Sequence, residues 1–277
     1  MRTRVFEILK KTWWPTLKGL SYFVFIALLA LAIRIFLIEF YKIPSSSMEP
    51  TLVPGDFIIV SKMSYGARIL KIKKFLKKNR IEYIRTWGWG SIKKGDVFVF
   101  NWPSYYTLND SFPNIYGDYI IKRCYGLPGD TVTIKNEGMK NYYIAEGRSD
   151  LFPHDSTLKW TLDCYGPLLV PGKGIRLELT PITAKHYKDV LLYEGYKTEI
   201  RGDSVFINGQ YASTFIFKNN YYFMKGDNFY GSLDSRYWGF VPEGNIVGKA
   251  KLIAFSLNPS IPGIKKIVWK RFVNLIK

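Results

Sequence analysis

The chain is poor in histidine, cysteine and acidic residues. Among 277 residues there are two histidines, two cysteines, and 22 Asp and Glu against 40 Lys and Arg. His154 and His186 lie far apart and no C-x-x-C pair occurs. A structural zinc site needs about four Cys or His ligands, so the sequence offers no metal site, and no motif calls for a cofactor. Cys124 and Cys164 are enough for one disulfide in an oxidising compartment, and the sequence leaves open whether they pair. The shortage of acids leaves a formal net charge of +18. Such an excess suits an acidic partner, either nucleic acid or an anionic membrane surface, or else a generally basic solvated exterior. No internal repeat is visible.

Aromatic residues are abundant at 17%, within 47% apolar residues overall, which rules out wholesale disorder. Frequent β-branched and aromatic residues punctuated by Gly and Pro predict a strand-rich fold. The length allows one large core or two modest ones.

Residues 19–41, GLSYFVFIALLALAIRIFLIEFY, are long and apolar enough to span a bilayer, which needs roughly 20 residues. Arg34 lies in the distal part, where it can snorkel, and Glu39 at the outer end. Arg2, Arg4, Lys10, Lys11 and Lys18 precede the span against the single acid Glu7, which predicts a cytoplasmic N-terminus of residues 1–18 and an exterior remainder. Trp13 and Trp14 fit a cytoplasmic aromatic belt. No small-x-small site follows the span, so a retained anchor is favoured over a cleaved leader. Its nearly all-round apolar character argues against a helix buried in a soluble core.

Strands are expected at 56–60, 97–100, 118–124, 131–134, 221–225 and 246–256, each bounded by turn signals such as Pro54-Gly55 and Lys94-Gly95-Asp96. Ser204 to Ile207 followed by Asn208-Gly209 predicts a hairpin, and 181–192 a short helix. Residues 68–80, with seven basic residues and no acid, read as an amphipathic helix or a solvated face. The tail, 259–277, ends in a basic amphipathic stretch suited to a membrane surface or to a docked terminal helix. Trp87, Trp89, Trp102 and Tyr105 fit an interfacial role or, for most of them, core packing.

Three segments carry chemistry. Pro44-Ser45-Ser46-Ser47-Met48-Glu49-Pro50-Thr51-Leu52 could be a linker, but the strand that follows leaves no room for a tether, and a serine on a Pro-stiffened segment is a candidate nucleophile. In Tyr119-Ile120-Ile121-Lys122-Arg123-Cys124, strand alternation puts Lys122 on an apolar face with Ile120 and Cys124, with Arg123 pointing away. A lysine dried by such a face loses charge and can act as a general base; on an exposed sheet edge it would only guard against aggregation. Gly226 to Gly239 is a polar loop in which Asp234 and Arg236 can pair.

Together these segments resemble the type I signal peptidases (leader peptidases), serine proteases with a Ser/Lys dyad. The pattern S-x-S-M-x-P-T-L stands at Ser45 to Leu52, K-R-x-x-G-L-P-G-D at Lys122 to Asp130, and G-D-N…S-x-D-S-R-Y-W-G at Gly226 to Gly239. A K-x-G-D turn stands at Lys93 to Asp96. Order, spacing and the preceding anchor agree from about residue 15 to 256.

The resemblance implies a mainly β fold: an antiparallel catalytic core at 42–135 and 215–258, an inserted β-rich second domain at 136–214, and the anchor. It implies removal of signal peptides from secretory preproteins at the outer face of the cell membrane, with the lipid bilayer as a partner and no nucleic acid. By position Ser47 corresponds to the nucleophile and Lys122 to the general base. Ser45, with the N–H of Ser47, corresponds to the oxyanion hole, Ser232 to the hydroxyl orienting the lysine, and Asp234 and Arg236 to a supporting pair. Neither histidine is needed. The chain departs from the family where Phe229-Tyr230-Gly231 replaces the usual R-D-N, which keeps alive a weak or inactive paralogue serving as a membrane-bound scaffold. A self-cleaving repressor of related chemistry would carry a DNA-binding domain, and none is visible.

Overall fold

The computed structural model describes residues 2–70, 83–102, 119–135, 151–258, 260–261 and 266–277. A single long helix, α1 (Arg2–Phe36), opens the chain, and its stretch Gly19–Phe36 is long and apolar enough to cross a membrane. The apolar run does not stay helical to residue 41. Ile38–Lys42 form strand β1, which pairs antiparallel with β2 (Asp56–Ser61), Tyr41 opposite Ile58. Lys62 fixes the change of direction. Its N–H donates to the Leu37 carbonyl (2.8 Å), and its ammonium donates to the Arg34 carbonyl (3.0 Å) and pairs with Glu39 (2.8 Å). These contacts stop the helix, and the Ile-Glu-Phe-Tyr sequence then alternates as a strand should.

A small pair, β3 (Arg68–Leu70) and β4 (Tyr83–Arg85), follows. The basic stretch 68–80 therefore opens as a strand, not as the expected helix, and its remainder, 71–80, lies outside the described residues. Next come β5 (Val97–Asn101), β6 (Tyr119–Gly126) and β7 (Thr131–Lys135). Four successive buried residues, Val97 to Phe100, mark β5 as a strand covered on both faces. Then β8 (Cys164–Leu169) pairs with β7.

The expected short helix is two turns, α2 (Pro181–His186) and α3 (Lys188–Tyr193), preceded by β9 (Arg176–Glu178). Thr180 caps α2, accepting from the Thr183 N–H. β10 (Thr198–Arg201), β11 (Ser204–Ile207) and β12 (Gln210–Tyr211) form a meander. Its last turn has Asn208 at φ 51° and Gly209 at φ 81°, the positive-φ pair that a two-residue hairpin requires. β13 (Thr214–Ile216) pairs with β9. The chain then returns to the first core through β14 (Tyr221–Lys225), the short helix α4 (Ser235–Trp238), β15 (Val241–Pro242) and the long β16 (Ile246–Ser256).

The main sheet has the order β1-β2-β16-β5-β6-β14-β15. The tail is docked, but as a strand rather than a helix. After a 3-10 turn at Trp269–Arg271, β17 (Asn274–Leu275) adds to β16, and Ile276 packs on the cluster of Ile43, Met48 and Leu52. A second cluster joins Phe98, Phe100, Cys124, Met224 and Trp238. A third joins Val132, Tyr165, Leu191, Phe223 and Phe240. Cys124 is buried, Cys164 exposed, and both are free thiols. Trp102 packs beside Trp238, ring centroids 5.6 Å apart, whereas Trp87 and Trp89 are not core residues, being 83% and 73% exposed. Tyr105 lies outside the described residues.

Candidate active site

Lys122 lies on β6 opposite Phe98 of β5, one position before the stretch Arg123 to Gly126 that pairs with β14. It is only 4% exposed. Burial penalises the ammonium and lowers its pKa from 10.5 to about 8; Asp234 and Asp227 pull it back upward and Arg236 adds to the lowering. Arg123 points the other way, as alternation requires. It forms a bidentate pair with Asp227, 2.7 Å at each contact, and donates to the carbonyls of Gly95 and Lys277.

The serine segment is a pinned loop, not a linker. Met48 and Leu52, which follow Ser47 within it, are fully buried, and the Ile43 N–H donates to the Asp56 carbonyl while the Gly55 N–H donates to the Ile43 carbonyl. With its ends closed and two apolar anchors sunk in the core, the loop presents Ser47 at a fixed place. Lys122 Nζ lies 2.7 Å from Ser47 Oγ. Ser45 Oγ is 3.4 Å from Ser47 Oγ, and Ser45 is exposed.

The polar loop from Gly226 to Gly239 closes over this pair. Asp234 caps α4 through the Arg236 N–H (3.2 Å), accepts from the Gly226 N–H (3.0 Å) and pairs with the Arg236 guanidinium at 2.8 and 2.9 Å, both side chains fully buried. The Ser235 hydroxyl accepts from the Met224 N–H. The Asn228 N–H donates to the Ser47 carbonyl (3.2 Å) and its side-chain amide to the Ser46 carbonyl (3.2 Å), so the loop holds the serine segment directly.

Ser232 is buried beside the dyad, and its hydroxyl has no hydrogen-bond partner among the described residues, Lys122 included. It sits over Gly226. A Cβ there would lie 2.1 Å from Ser232 Oγ and 2.5 Å from the Ser47 carbonyl oxygen, so only glycine fits.

The structure therefore brings Ser45, Ser47, Lys122, Ser232, Asp234 and Arg236 to one place. Sequence reasoning gave no role to the Arg123–Asp227 pair, to Asn228 or to Gly226, although all four stand inside the quoted motifs. The substituted triplet has its own contacts. Phe229 carries the Lys225 ammonium and the Arg236 guanidinium each 4.6 Å from its ring centroid, its carbonyl accepts from Arg236 (2.6 Å), and the Tyr230 hydroxyl donates to Asp163 (2.7 Å).

A serine hydroxyl in hydrogen-bond contact with a desolvated amine is the arrangement of a nucleophile with its base, the class of site found in Ser/Lys hydrolases. The chain belongs to the signal peptidase, peptidase S26, family, whose model matches residues 16–149 and 170–255. It is 32% identical over 254 residues to a signal peptidase I of Buchnera aphidicola subsp. Baizongia pistaciae, covering 82% of this chain and 73% of that one. A signal peptidase I of Pseudomonas fluorescens is 32% identical over 246 residues, covering 84% and 69%, and one of Aquifex aeolicus 30% over 238 residues, covering 83% and 81%.

Proposed function

We propose that the chain is a membrane-anchored serine endopeptidase that removes signal peptides from secretory preproteins, with Ser47 as nucleophile and Lys122 as general base. The observation that carries this reading is the 2.7 Å contact between a lysine amine dried by the sheet and a serine on a rigid loop. Neutral Lys122 takes the proton from Ser47 Oγ as the oxygen attacks the scissile carbonyl carbon. The ammonium so formed gives that proton to the leaving amine as the C–N bond breaks, leaving an ester on Ser47. Lys122 then takes a proton from water, the resulting hydroxide attacks the ester, and the proton returns to Ser47 as the new carboxyl end departs. The Ser47 N–H and the Ser45 hydroxyl donate to the oxyanion, each such donor being worth about 2.7–4 kcal/mol in the transition state. Ser232 orients the lysine, and the Asp234–Arg236 pair holds the loop that carries it.

The sheet leaves a place for the substrate. β1 pairs only with β2, and β14 pairs only with Arg123 to Gly126 of β6, so one edge of β1 and one edge of Tyr119 to Lys122 are open among the described residues. Tyr41 and Tyr119 meet across that seam, ring centroids 4.8 Å apart. An extended peptide bonded to both edges, by strand addition, brings its carbonyl to Ser47.

α1 anchors the enzyme with its N-terminus cytoplasmic, as the flanking basic residues direct. Residues 42–135 and 215–258 form the catalytic core, and 136–214 an inserted second domain; the separate small sheets of that segment support the division. The test is Ser47→Ala and Lys122→Met in the full chain in liposomes, assayed on a preprotein. Both are expected to lose processing, and full processing by either would overturn the dyad. The scaffold reading has only the altered triplet in its favour, and labelling of Ser47 by an acylating probe dismisses it.

A further inference from the structure

The Lys225 ammonium sits half-buried between two rings, 4.9 Å from the Tyr125 centroid and 4.6 Å from that of Phe229. Among the described residues no carboxylate pairs with it. The two acids whose charge it feels, Asp234 and Asp227, are committed to Arg236 and Arg123. Burial, and then the neighbouring Arg236, lower the Lys225 pKa, so the fold holds this cation at a cost. An anion brought to the same place relieves that cost.

The register of the sheet says what passes this cation. Among the described residues the edge of β6 is open from Tyr119 to Lys122, and β14 takes the same edge from Arg123 to Gly126. Lys225 stands opposite Arg123, so it is the first residue of β14 met beyond Lys122. β1 leads directly from α1 toward Ser47, and the antiparallel pairings between β1 and β6 make the two point the same way. A preprotein held in the same bilayer runs along them, and the residues after the cut are the ones that arrive at Lys225. They cannot continue along β6, because β14 occupies it. They cannot turn toward the Met224 face, where Met224, Cys124, Phe98 and Trp238 close a buried cluster. Lys225 and Tyr125 alternate to the opposite face, where Tyr125 is 36% exposed. The departing chain lifts off on that side, past the ammonium.

We infer that Lys225, walled by Tyr125 and Phe229, is the subsite for the second or third residue after the cut, and that it selects an acidic side chain there. The inference rests on the protease reading and on the seam being the substrate groove. The first residue after the cut stands level with the end of β14, so an extended chain rising at about 3.3 Å per residue carries the next two side chains past the cage. A carboxylate there makes the ion pair that the fold denies Lys225. A lysine or arginine adds a further cation where Lys225, Arg123 and Arg236 already crowd. The substituted triplet belongs to this subsite: the ring at 229 holds the Lys225 ammonium, where an arginine would repel it.

The test uses the full chain in zwitterionic liposomes, so that lipid charge contributes no preference. Its preproteins differ only in the second and third residues after the cut, both Asp, both Ala or both Lys. The wild-type kcat/KM is expected to be about tenfold higher for Asp than for Lys, mainly through KM, and the two are expected to converge as salt rises. Lys225→Met is expected to bring the ratio near one, and Lys225→Glu to invert it. A merely structural role would lower all three preproteins alike and leave the ratio in place. In a Ser47→Ala background, where nothing is cut, retention of the preproteins on the liposomes should follow the same order, with Lys225→Met again erasing it. A ratio near one in the wild-type chain, or a preference for Asp that survives in Lys225→Met, would overturn the inference. Cleavage of none of the three by the wild-type chain would instead sink the protease reading, and retention in the Ser47→Ala background would still decide the subsite. Should Lys225→Glu fail to fold, Lys225→Met, which keeps the length of the side chain and drops its charge, decides alone.

Discussion

Arg271, near the end of the chain, closes a bidentate ion pair on Asp56, at 2.6 and 2.8 Å, and donates to the Thr51 carbonyl. Asp56 is fully buried and also accepts from the Val53 N–H, so the far end of the serine loop shares one carboxylate with the tail. Arg271→Ala leaves that carboxylate buried without its cation. Breaking a buried pair costs about 3–5 kcal/mol, and partial exposure of Arg271 puts the loss near about 3 kcal/mol. The melting temperature is expected to fall by about 6–12 °C. Preprotein kcat should fall with it, because the loop presenting Ser47 loses an anchor. Asp56→Leu combined with Arg271→Leu is expected to recover most of the stability, since no charge is then stranded.

Activity should follow the neutral amine. With the Lys122 pKa lowered to about 8, kcat/KM is expected to rise through that pH and level off above it, provided the chain stays folded. The stability linkage has a definite sign. The unfolded lysine keeps its proton up to 10.5, so between about 8 and 10.5 the unfolded state binds more protons and stability rises with pH. Below about 8 the cost of burying the ammonium is fully present, at about 3 kcal/mol. Lys122→Met is therefore expected to abolish processing yet raise the melting temperature at pH 7, with the gain disappearing above pH 10.5. A thermal scan at several pH values checks this, and a melting temperature lowered at pH 7 would contradict it.

Gly226 and Ser232 offer a pair of opposite effects. Gly226→Ala forces a methyl group against Ser232 and the Ser47 carbonyl. Overpacking of that kind costs about 1–3 kcal/mol, and the displaced serine loop should lower kcat by about 10²-fold. Ser232→Ala removes a buried hydroxyl that has no hydrogen-bond partner among the described residues. Stability is expected to hold or rise, while kcat drops and KM stays if the hydroxyl orients Lys122 during the reaction as proposed. Equal losses of stability in both variants would refute the positioning role.

The contact between Ser47 and Lys122 was legible because the two stand in motifs quoted for the resemblance, and because strand alternation alone puts Lys122 with Ile120 and Cys124. The end of the helix was not. The sequence stays apolar through Tyr41, and only the contacts of Lys62 with Leu37, Arg34 and Glu39, more than twenty positions away, turn Ile38 into a strand. The tail was misjudged for a similar reason. Its apolar spacing suits a helix, but Arg271 finds a buried carboxylate 215 positions earlier and β16 offers an open edge. Trp87 and Trp89 show the limit of composition, since large aromatics do not have to be buried.

The substituted triplet gives the most specific expectation. Where the family usually has an arginine, Phe229 offers its ring to two cations, Lys225 and Arg236. Burial and the neighbouring Arg236 both push the Lys225 pKa down, so the site already strains to hold two positive charges. Phe229→Arg would add a third beside them. It is expected to be less stable than Phe229→Ala, which loses only the ring contacts at about 0.5–1 kcal/mol each, and to lower kcat/KM through the Asp234–Arg236 support. Lys225→Met should then rescue the Phe229→Arg enzyme, because the cation has moved from strand to loop. Melting temperatures and preprotein kcat/KM for the two single variants and the double variant form the cycle. A double variant no better than Phe229→Arg alone would show that the two positions are independent and that the ring, not the balance of charge, is what this loop requires.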